Sequence, residues 1–270
     1  MTTVFDGKKI ANEIRVALKK EVAEISSKKI TPKMASFLVG EEKLGKKFLS
    51  LKKAAAGDVG AKLEIRDFGR DTKPEEIIDE IQDLNIDKKV HGIMIQLPLP
   101  NDFSKDEREQ IISAISKQKD VDGMKKESRF VAPVVKAVLL AIKSASQEVK
   151  LEEKTLFVVN GAEGFVGEKI LWTLEDMGFR TKGVEVATRE KEKIISKADV
   201  LISSTGKEEI IGADGVKDGV VVIDVGAPKP EIKNEVKQKA AFFTPVPGGI
   251  GPLTIAFLLE NLVEAAKDRG

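Results

Sequence analysis

The sequence predicts an α/β protein of two domains, each built around a parallel sheet. Three observations carry this. Helical and strand-like hydrophobic patterns alternate along the 270 residues, which is the rhythm of βαβ units. The rhythm pauses in a polar stretch, SQEVKLEEK (146–154), and then restarts. Composition fits a packed globular chain, with 41% hydrophobic and 33% charged residues, and the length suits one large domain or two small ones.

The elements follow in order. Ile10, Ile14, Leu18, Val22 and Ile25 recur at three- and four-residue steps, a helical stripe that Asp6 can cap. MASFLVG (34–40) reads as a buried strand, 42–58 as a helix and KLEIRDFG (62–69) as a second strand. Thr72, Lys73, Pro74 and Glu75 read as a capping box opening a helix to about Leu84. HGIMIQLP (91–98) is the third strand, and Ser104 with Glu107 repeats the capping box before another helix. A helix over 133–147 leads to the polar stretch. LFVVNG (156–161), TKGVEVAT (181–188), VLISSTG (200–206) and VVVIDVG (220–226) then read as strands, with a helix over 165–178. The last helix, 252–267, carries Ile255, Leu258, Leu259 and Leu262 on one face.

Composition narrows the chemistry. The 45 basic and 44 acidic residues balance to +1, so no global basic excess points to nucleic acid. With no cysteine there is no disulfide, thiolate metal site or cysteine nucleophile, and a single histidine, His91, builds no histidine-rich metal site. The first residues, MTTVFDGKKIANEIRV, lack the apolar core of a signal peptide. Lys136 interrupts the longest apolar run, far short of the roughly 18 residues of a membrane span. A cytoplasmic protein with no membrane or nucleic-acid partner is expected.

Six segments carry candidate chemistry. Gly161, Gly164 and Gly167 follow a buried strand and open a helix, where backbone N–H groups can approach a phosphate. The spacing departs from G-x-G-x-x-G, and a glycine-lined turn that binds nothing reads the same way. Glu185, Thr188 and Arg189 follow about twenty residues on, where an acid can hold a ribose hydroxyl and an arginine a ribose phosphate. Phe48 and Lys52 share one helical face among other lysines; the helix is either a solvated basic face or the place of a lysine whose pKa falls toward neutrality. Gln96 ends a buried strand, Asp122 sits in the turn KDVDG (119–123), and PVPGGIGPLT (245–254) is a long loop stiffened by proline.

Taken together, VHGIMIQLPLP (90–100), KDVDG (119–123), VVVIDVG (220–226) and TPVPGGIGPLTIAFLLEN (244–261) resemble the methylenetetrahydrofolate dehydrogenase/cyclohydrolase family in order and spacing, over essentially the whole chain. The resemblance implies two α/β domains flanking a cleft. The first, 1–145, carries folate chemistry and takes back the last helix, 252–270; the second, 146–251, is a Rossmann-like module for NADP, with NAD as the alternative. It implies a homodimer that oxidises methylenetetrahydrofolate and hydrolyses the product, acting on tetrahydrofolate derivatives with no resident metal. Position by position it makes Lys52 the catalytic lysine, Gln96 its hydrogen-bonding partner and Asp122 the pterin-holding carboxylate. Phe48, Leu97, Pro98, Pro247, Gly248, Gly249 and Thr254 fall on the substrate side. Gly161, Ala162, Glu163, Gly164, Gly167, Thr188, Arg189 and Ala227 fall on the cofactor side.

The chain also departs from the family pattern. Phe48 stands where the family has a tyrosine, and no tyrosine exists elsewhere in the chain, so a weakened cyclohydrolase with the dehydrogenase retained is the alternative reading. Ala162 and Glu163 replace an arginine and a serine, and Glu163 would repel a phosphate that Arg189 would attract. The segments MKKESRFVAPVV (124–135) and 227–243 are trimmed.

Overall fold

A computed structural model describes residues 1–40 and 43–268. In chain order the elements are β1 (Thr3–Val4), α1 (Gly7–Ser27), β2 (Lys33–Val39), α2 (Lys43–Val59), β3 (Lys62–Phe68), α3 (Pro74–Ile86), β4 (Gly92–Ile95), α4 (Lys105–Ser113) and α5 (Pro133–Glu148). They continue as β5 (Leu156–Asn160), α6 (Phe165–Asp176), β6 (Arg180–Val184), α7 (Lys191–Ile195), β7 (Val200–Ser203), β8 (Val221–Asp224), β9 (Phe242–Phe243) and α8 (Ile250–Lys267). Contacts divide the chain into two compact units, Asn12–Pro133 with Ile255–Gly270, and Met1–Ala11 with Val134–Thr254.

The first of these units holds a three-stranded sheet in the order β3-β2-β4, parallel throughout. β2 and β4 are largely apolar on both faces because both faces are covered, whereas the edge strand β3 carries Glu64, Arg66 and Asp67. Strand alternation sorts the side chains between two cores. Met34 and Leu38 of β2 and Met94 of β4 join Leu18 and Val22 of α1, Leu49 and Ala56 of α2, and Leu259 and Leu262 of α8. Ala35, Phe37, Val39, Ile93 and Ile95 face the other way, against Ile77 and Ile81 of α3 and Ile111 of α4. The N-terminal caps are as chemistry dictates: the Lys9 N–H donates to Asp6 Oδ1 at 2.9 Å, and Ser104 and Glu107 bond reciprocally. The box before α3 sits one residue later than the sequence predicts. Lys73 is the N-cap and its N–H donates to Glu76 Oε1, because Pro74 takes the first helical position, where its missing N–H is harmless. The predicted start of α2 at Glu42 lies outside the described residues.

The second unit holds a six-stranded parallel sheet in the order β1-β9-β8-β7-β5-β6. Register aligns Val158, Leu201, Val222 and Phe243 in one row across four strands, and all four enter the same apolar cluster. Since β6 lies on one side of β5 and β7 on the other, strand order reverses at β5, and ligands of such sheets bind beyond the carboxyl ends at that reversal. β6 ends at Val184, not at 188, because the chain turns there: the Glu185 N–H donates to Thr188 Oγ1 at 2.7 Å instead of to a neighbouring strand. The two-residue strands β1 and β9 and the five-residue α7 lack a sequence period long enough to read.

Candidate functional site

In the first unit the site is assembled by two periodicities. Along α2, Gly45, Leu49, Ala56 and Val59 are buried, and Lys52 lies on their stripe, three residues after Leu49 and four before Ala56. Along β4 and its extension, Met94 and Gln96 share a face, the one α2 covers. The lysine is thereby aimed at the strand. Its Nζ donates to Gln96 Oε1 at 3.0 Å and lies 3.8 Å from Met94 Sδ. Gln96 is itself oriented, its Nε2 donating to the Leu97 carbonyl at 2.9 Å. Burial holds the Lys52 ammonium below the usual lysine range, and the Asp122 carboxylate acts in the opposite sense.

Asp122 is placed by a tightly fixed turn. On one side Val121 is anchored: its carbonyl accepts from Asn261 Nδ2 of α8 at 2.8 Å, and the same amide reaches the Val131 carbonyl at 3.1 Å. On the other side Gly123 has φ +59°, and a Cβ there would stand 2.6 Å from the Ala132 nitrogen. Asp120 closes the turn by accepting the Met124 and Lys125 N–H groups, each at 2.9 Å. Phe48 is half-buried one turn before Lys52; Leu97 is half-buried and Pro98 exposed, across a cis peptide bond.

In the second unit the glycine turn follows β5. Gly161 has φ +88°, and a Cβ on it would meet the Ser204 carbonyl oxygen at 2.8 Å. A Cβ on Gly167 would run into the Gly161 carbonyl, so helix and turn touch through bare backbone. This is a cradle that any side chain would fill, and it suits the close approach of a dinucleotide pyrophosphate. Ala162 is buried beneath it while Glu163 and Gly164 are exposed. The Glu163 N–H donates to the Glu185 carboxylate at 2.5 Å, so Glu185 grips the turn itself. Thr188 accepts from the Glu185 N–H, and Arg189 is exposed beside a hollow of about 440 Å³ that Arg180, Lys182, Lys193 and Lys197 also line. Ala227 is exposed, before a cis bond to Pro228. In the proline-glycine loop Pro247 is exposed, Gly249 is buried and Gly248 has φ +114°; the Lys8 N–H donates to the Gly248 carbonyl, and Thr254 Oγ1 donates to the Ile250 carbonyl within α8.

The chain matches the model of the tetrahydrofolate dehydrogenase/cyclohydrolase catalytic domain over residues 5–122 and that of the corresponding NAD(P)-binding domain over residues 132–270. It belongs to the tetrahydrofolate dehydrogenase/cyclohydrolase family. A Nautilia profundicola relative, the bifunctional protein FolD, is 36% identical over 283 residues, covering 98% of each chain. The crystal structure of the bifunctional FolD enzyme of Campylobacter jejuni superposes with a TM-score of 0.90 at 31% identity over the whole of both chains. That of the Trypanosoma brucei enzyme, complexed with NADP and an inhibitor, superposes with a TM-score of 0.89 at 25% identity, covering 99% of this chain and 98% of that one. Within this family frame, three polar residues went unseen in the sequence: Asn261, Asp224 and Glu231. Asn261 had a signal, being a polar residue beside Leu258 and Leu262 on an apolar helix face. Glu231, in a charged loop, had none.

Among the described residues no group of acidic and histidine side chains could hold a metal ion, and no helix is long and apolar enough to cross a membrane.

Proposed function

We infer that this chain oxidises methylenetetrahydrofolate to methenyltetrahydrofolate with NADP and hydrolyses that product to formyltetrahydrofolate. The observation that carries the reading is Lys52: a lysine amine 3.0 Å from an uncharged amide oxygen, with its pKa lowered by burial, in a chain of this family. Bound in the glycine cradle of Gly161, Gly164 and Gly167, NADP supplies the acceptor for the hydride that leaves the methylene carbon. The oxidation needs no protein nucleophile, only substrate and cofactor held in register.

Hydrolysis needs proton transfers. Water adds to the methenyl carbon and loses a proton; the carbon–nitrogen bond then breaks as the hydroxyl left on that carbon gives up its own proton to become the formyl oxygen, the departing nitrogen gains a proton, and one proton is released overall. A neutral amine at position 52 accepts the first proton and can return the second. Gln96 orients that amine without adding charge, and Asp122 accepts hydrogen bonds from the amino edge of the pterin. Phe48, Leu97, Pro98, Pro247, Gly248, Gly249 and Thr254 complete the folate side of this reading. Ala162, Glu163, Thr188, Arg189 and Ala227 complete the cofactor side.

Two carboxylates, Glu163 and Glu185, lie at the cofactor turn and disfavour an extra phosphate, whereas Arg189 favours one. The NADP-bound Trypanosoma brucei relative supports NADP. We read the protein as a cytoplasmic homodimer serving one-carbon metabolism and purine biosynthesis, with tetrahydrofolate derivatives as its partners and no nucleic acid or membrane. The deciding experiment is an absorbance assay with methylenetetrahydrofolate and each nicotinamide cofactor in turn, followed by separate hydrolysis of methenyltetrahydrofolate. NADP reduction and hydrolysis are expected from the wild type, and loss of hydrolysis from Lys52→Met. A strong preference for NAD would overturn the cofactor assignment, and near-normal hydrolysis by Lys52→Met would overturn the role of the lysine.

A further inference from the structure

Beyond the glycine turn, the sheet of the second unit carries a polar row that the reaction described above does not use. Strand register places Asn160 beside Ser203 and Ser203 beside Asp224, at the carboxyl ends of β5, β7 and β8. All three are wholly buried. They stand two residues beyond the apolar row of Val158, Leu201 and Val222, and so on the same sheet face. Apolar side chains would fill these positions at lower desolvation cost, so their polarity needs a partner.

Asn160 Nδ2 donates to Ser203 Oγ at 3.1 Å, and the partner of Ser203 is Glu231, which is 2% exposed although it comes from the loop after β8. Its Oε2 accepts from Ser203 Oγ at 2.5 Å, from the Thr205 N–H at 2.8 Å and from Thr205 Oγ1 at 2.9 Å; its Oε1 accepts from the Gly206 N–H at 2.6 Å. Four donors thus converge on one carboxylate, which is about its full acceptor capacity. Asp224 fixes the other end of the device. Its Oδ2 accepts the N–H groups of Glu231 and Ile232, at 2.9 and 3.0 Å, and its Oδ1 accepts that of Gly226 at 2.8 Å.

The clamped loop is the one that walls the glycine cradle. A Cβ on Gly161 would strike the Ser204 carbonyl, a Cβ on Gly167 would strike the Ser204 hydroxyl at 2.9 Å, and the Ser204 N–H donates to the Asn160 carbonyl at 2.9 Å. The loop from Val225 to Pro230, which carries Ala227, is the other segment that Glu231 and Asp224 tie down.

We propose that Glu231 is the positioning residue of the dinucleotide site: its carboxylate locks the loop leaving β7 to the loop leaving β8, and so sets the backbone walls between which a nicotinamide dinucleotide docks. The proposal rests on the reading that NADP binds at the carboxyl ends of this sheet. Glu231 touches no reacting atom; it acts through the main chain of Thr205 and Gly206. In Glu231→Gln one acceptor oxygen becomes an N–H₂ aimed at groups that are themselves donors, so at least one loop end is released.

The test is calorimetric binding of NADP to the whole chain, without folate, for the wild type, Glu231→Gln and the milder Thr205→Val, which keeps the side-chain shape and removes the hydroxyl that donates to Glu231 and accepts the Lys207 N–H. Circular dichroism and thermal melting monitor folding. The expected result is a Kd weakened by about tenfold or more in Glu231→Gln. A loss of about threefold or more is expected in Thr205→Val, for one hydroxyl hydrogen bond to a carboxylate. In steady state the KM for NADP rises in step while kcat at saturation stays within about twofold, the mark of lost uniform binding. Unchanged Kd in both folded variants would overturn the proposal, as would parallel loss of methenyltetrahydrofolate hydrolysis, which needs no cofactor and would mark general collapse. If Glu231→Gln does not fold, Thr205→Val decides alone. Failure of the wild type to bind either NADP or NAD would instead remove the reading beneath it.

Discussion

Lys52 is where a single residue shows how burial becomes chemistry. An ammonium placed on the inward stripe of α2 loses hydration, and its hydrogen-bonding partners are a neutral amide and a thioether; this outweighs the opposing pull of the Asp122 carboxylate, so its proton is held less tightly. The folded pKa lies below the unfolded one, so this residue costs stability at neutral pH, and the cost fades as pH rises toward the ordinary lysine value. Lys52→Met should therefore raise the urea midpoint while abolishing hydrolysis; a lower midpoint would show that the ammonium stabilises the fold. Gln96→Glu places an anion at the 3.0 Å contact, raises the lysine pKa and moves the rising limb of the hydrolysis pH profile alkaline by about one pH unit or more. An unmoved limb would disconnect residue 96 from the amine. Phe48→Tyr restores a hydroxyl one helical turn from the amine, and hydrolysis should rise about tenfold relative to oxidation if a proton relay is what the phenyl ring lacks. An unchanged ratio would mean that stacking alone is needed there. The lysine and glutamine were legible because helix and strand periods place each on a covered face. Asp224 and Glu231 were not, because the bond between them spans 7 residues and that of Glu231 to Ser203 spans 28, separations that no period describes.

At the scale of elements, legibility follows length and burial. β2, β5 and β8 are continuous apolar runs because both faces of each sheet are covered, and such runs stand out in any sequence. β6 misleads because alternation continues through Val184, Glu185 and Val186 after the ladder has stopped; a side-chain hydroxyl at Thr188 captured the N–H that a longer strand would have shared. Glycines test the same reasoning energetically. Gly57 lies inside α2 with open space around it and an ordinary backbone angle. Gly57→Ala should stabilise by about 0.5–1 kcal/mol, since alanine loses less chain entropy in a helix. Gly167→Ala, also helical, drives a methyl into the Gly161 carbonyl and should destabilise by about 2–3 kcal/mol while abolishing NADP binding. Paired melting curves and calorimetry check both. Equal effects of the two substitutions would mean that α6 does not rest on the turn.

For the molecule as a whole, charge is nearly balanced, at +1, so its pH response is governed by a few perturbed groups rather than by net repulsion. Asp224 is the informative one. Burial pushes its carboxyl up to about 6, and the nearby Glu231 adds to this, against the N–H groups of Gly226, Ile232 and Glu231 that favour the charged form. A carboxyl with a folded pKa above its unfolded value of about 3.9 binds its proton more readily in the native state. Stability therefore falls as pH rises through the window from about 4 to about 6, and is level above it. Subtracting the urea-unfolding free energy of Asp224→Asn from that of the wild type at each pH isolates this group from every other carboxylate. The difference should fall by about 2–3 kcal/mol between pH 4 and pH 7. A difference that instead rises with pH would show the three N–H donors outweighing burial, and Asp224 would then be a carboxylate held charged by its loop.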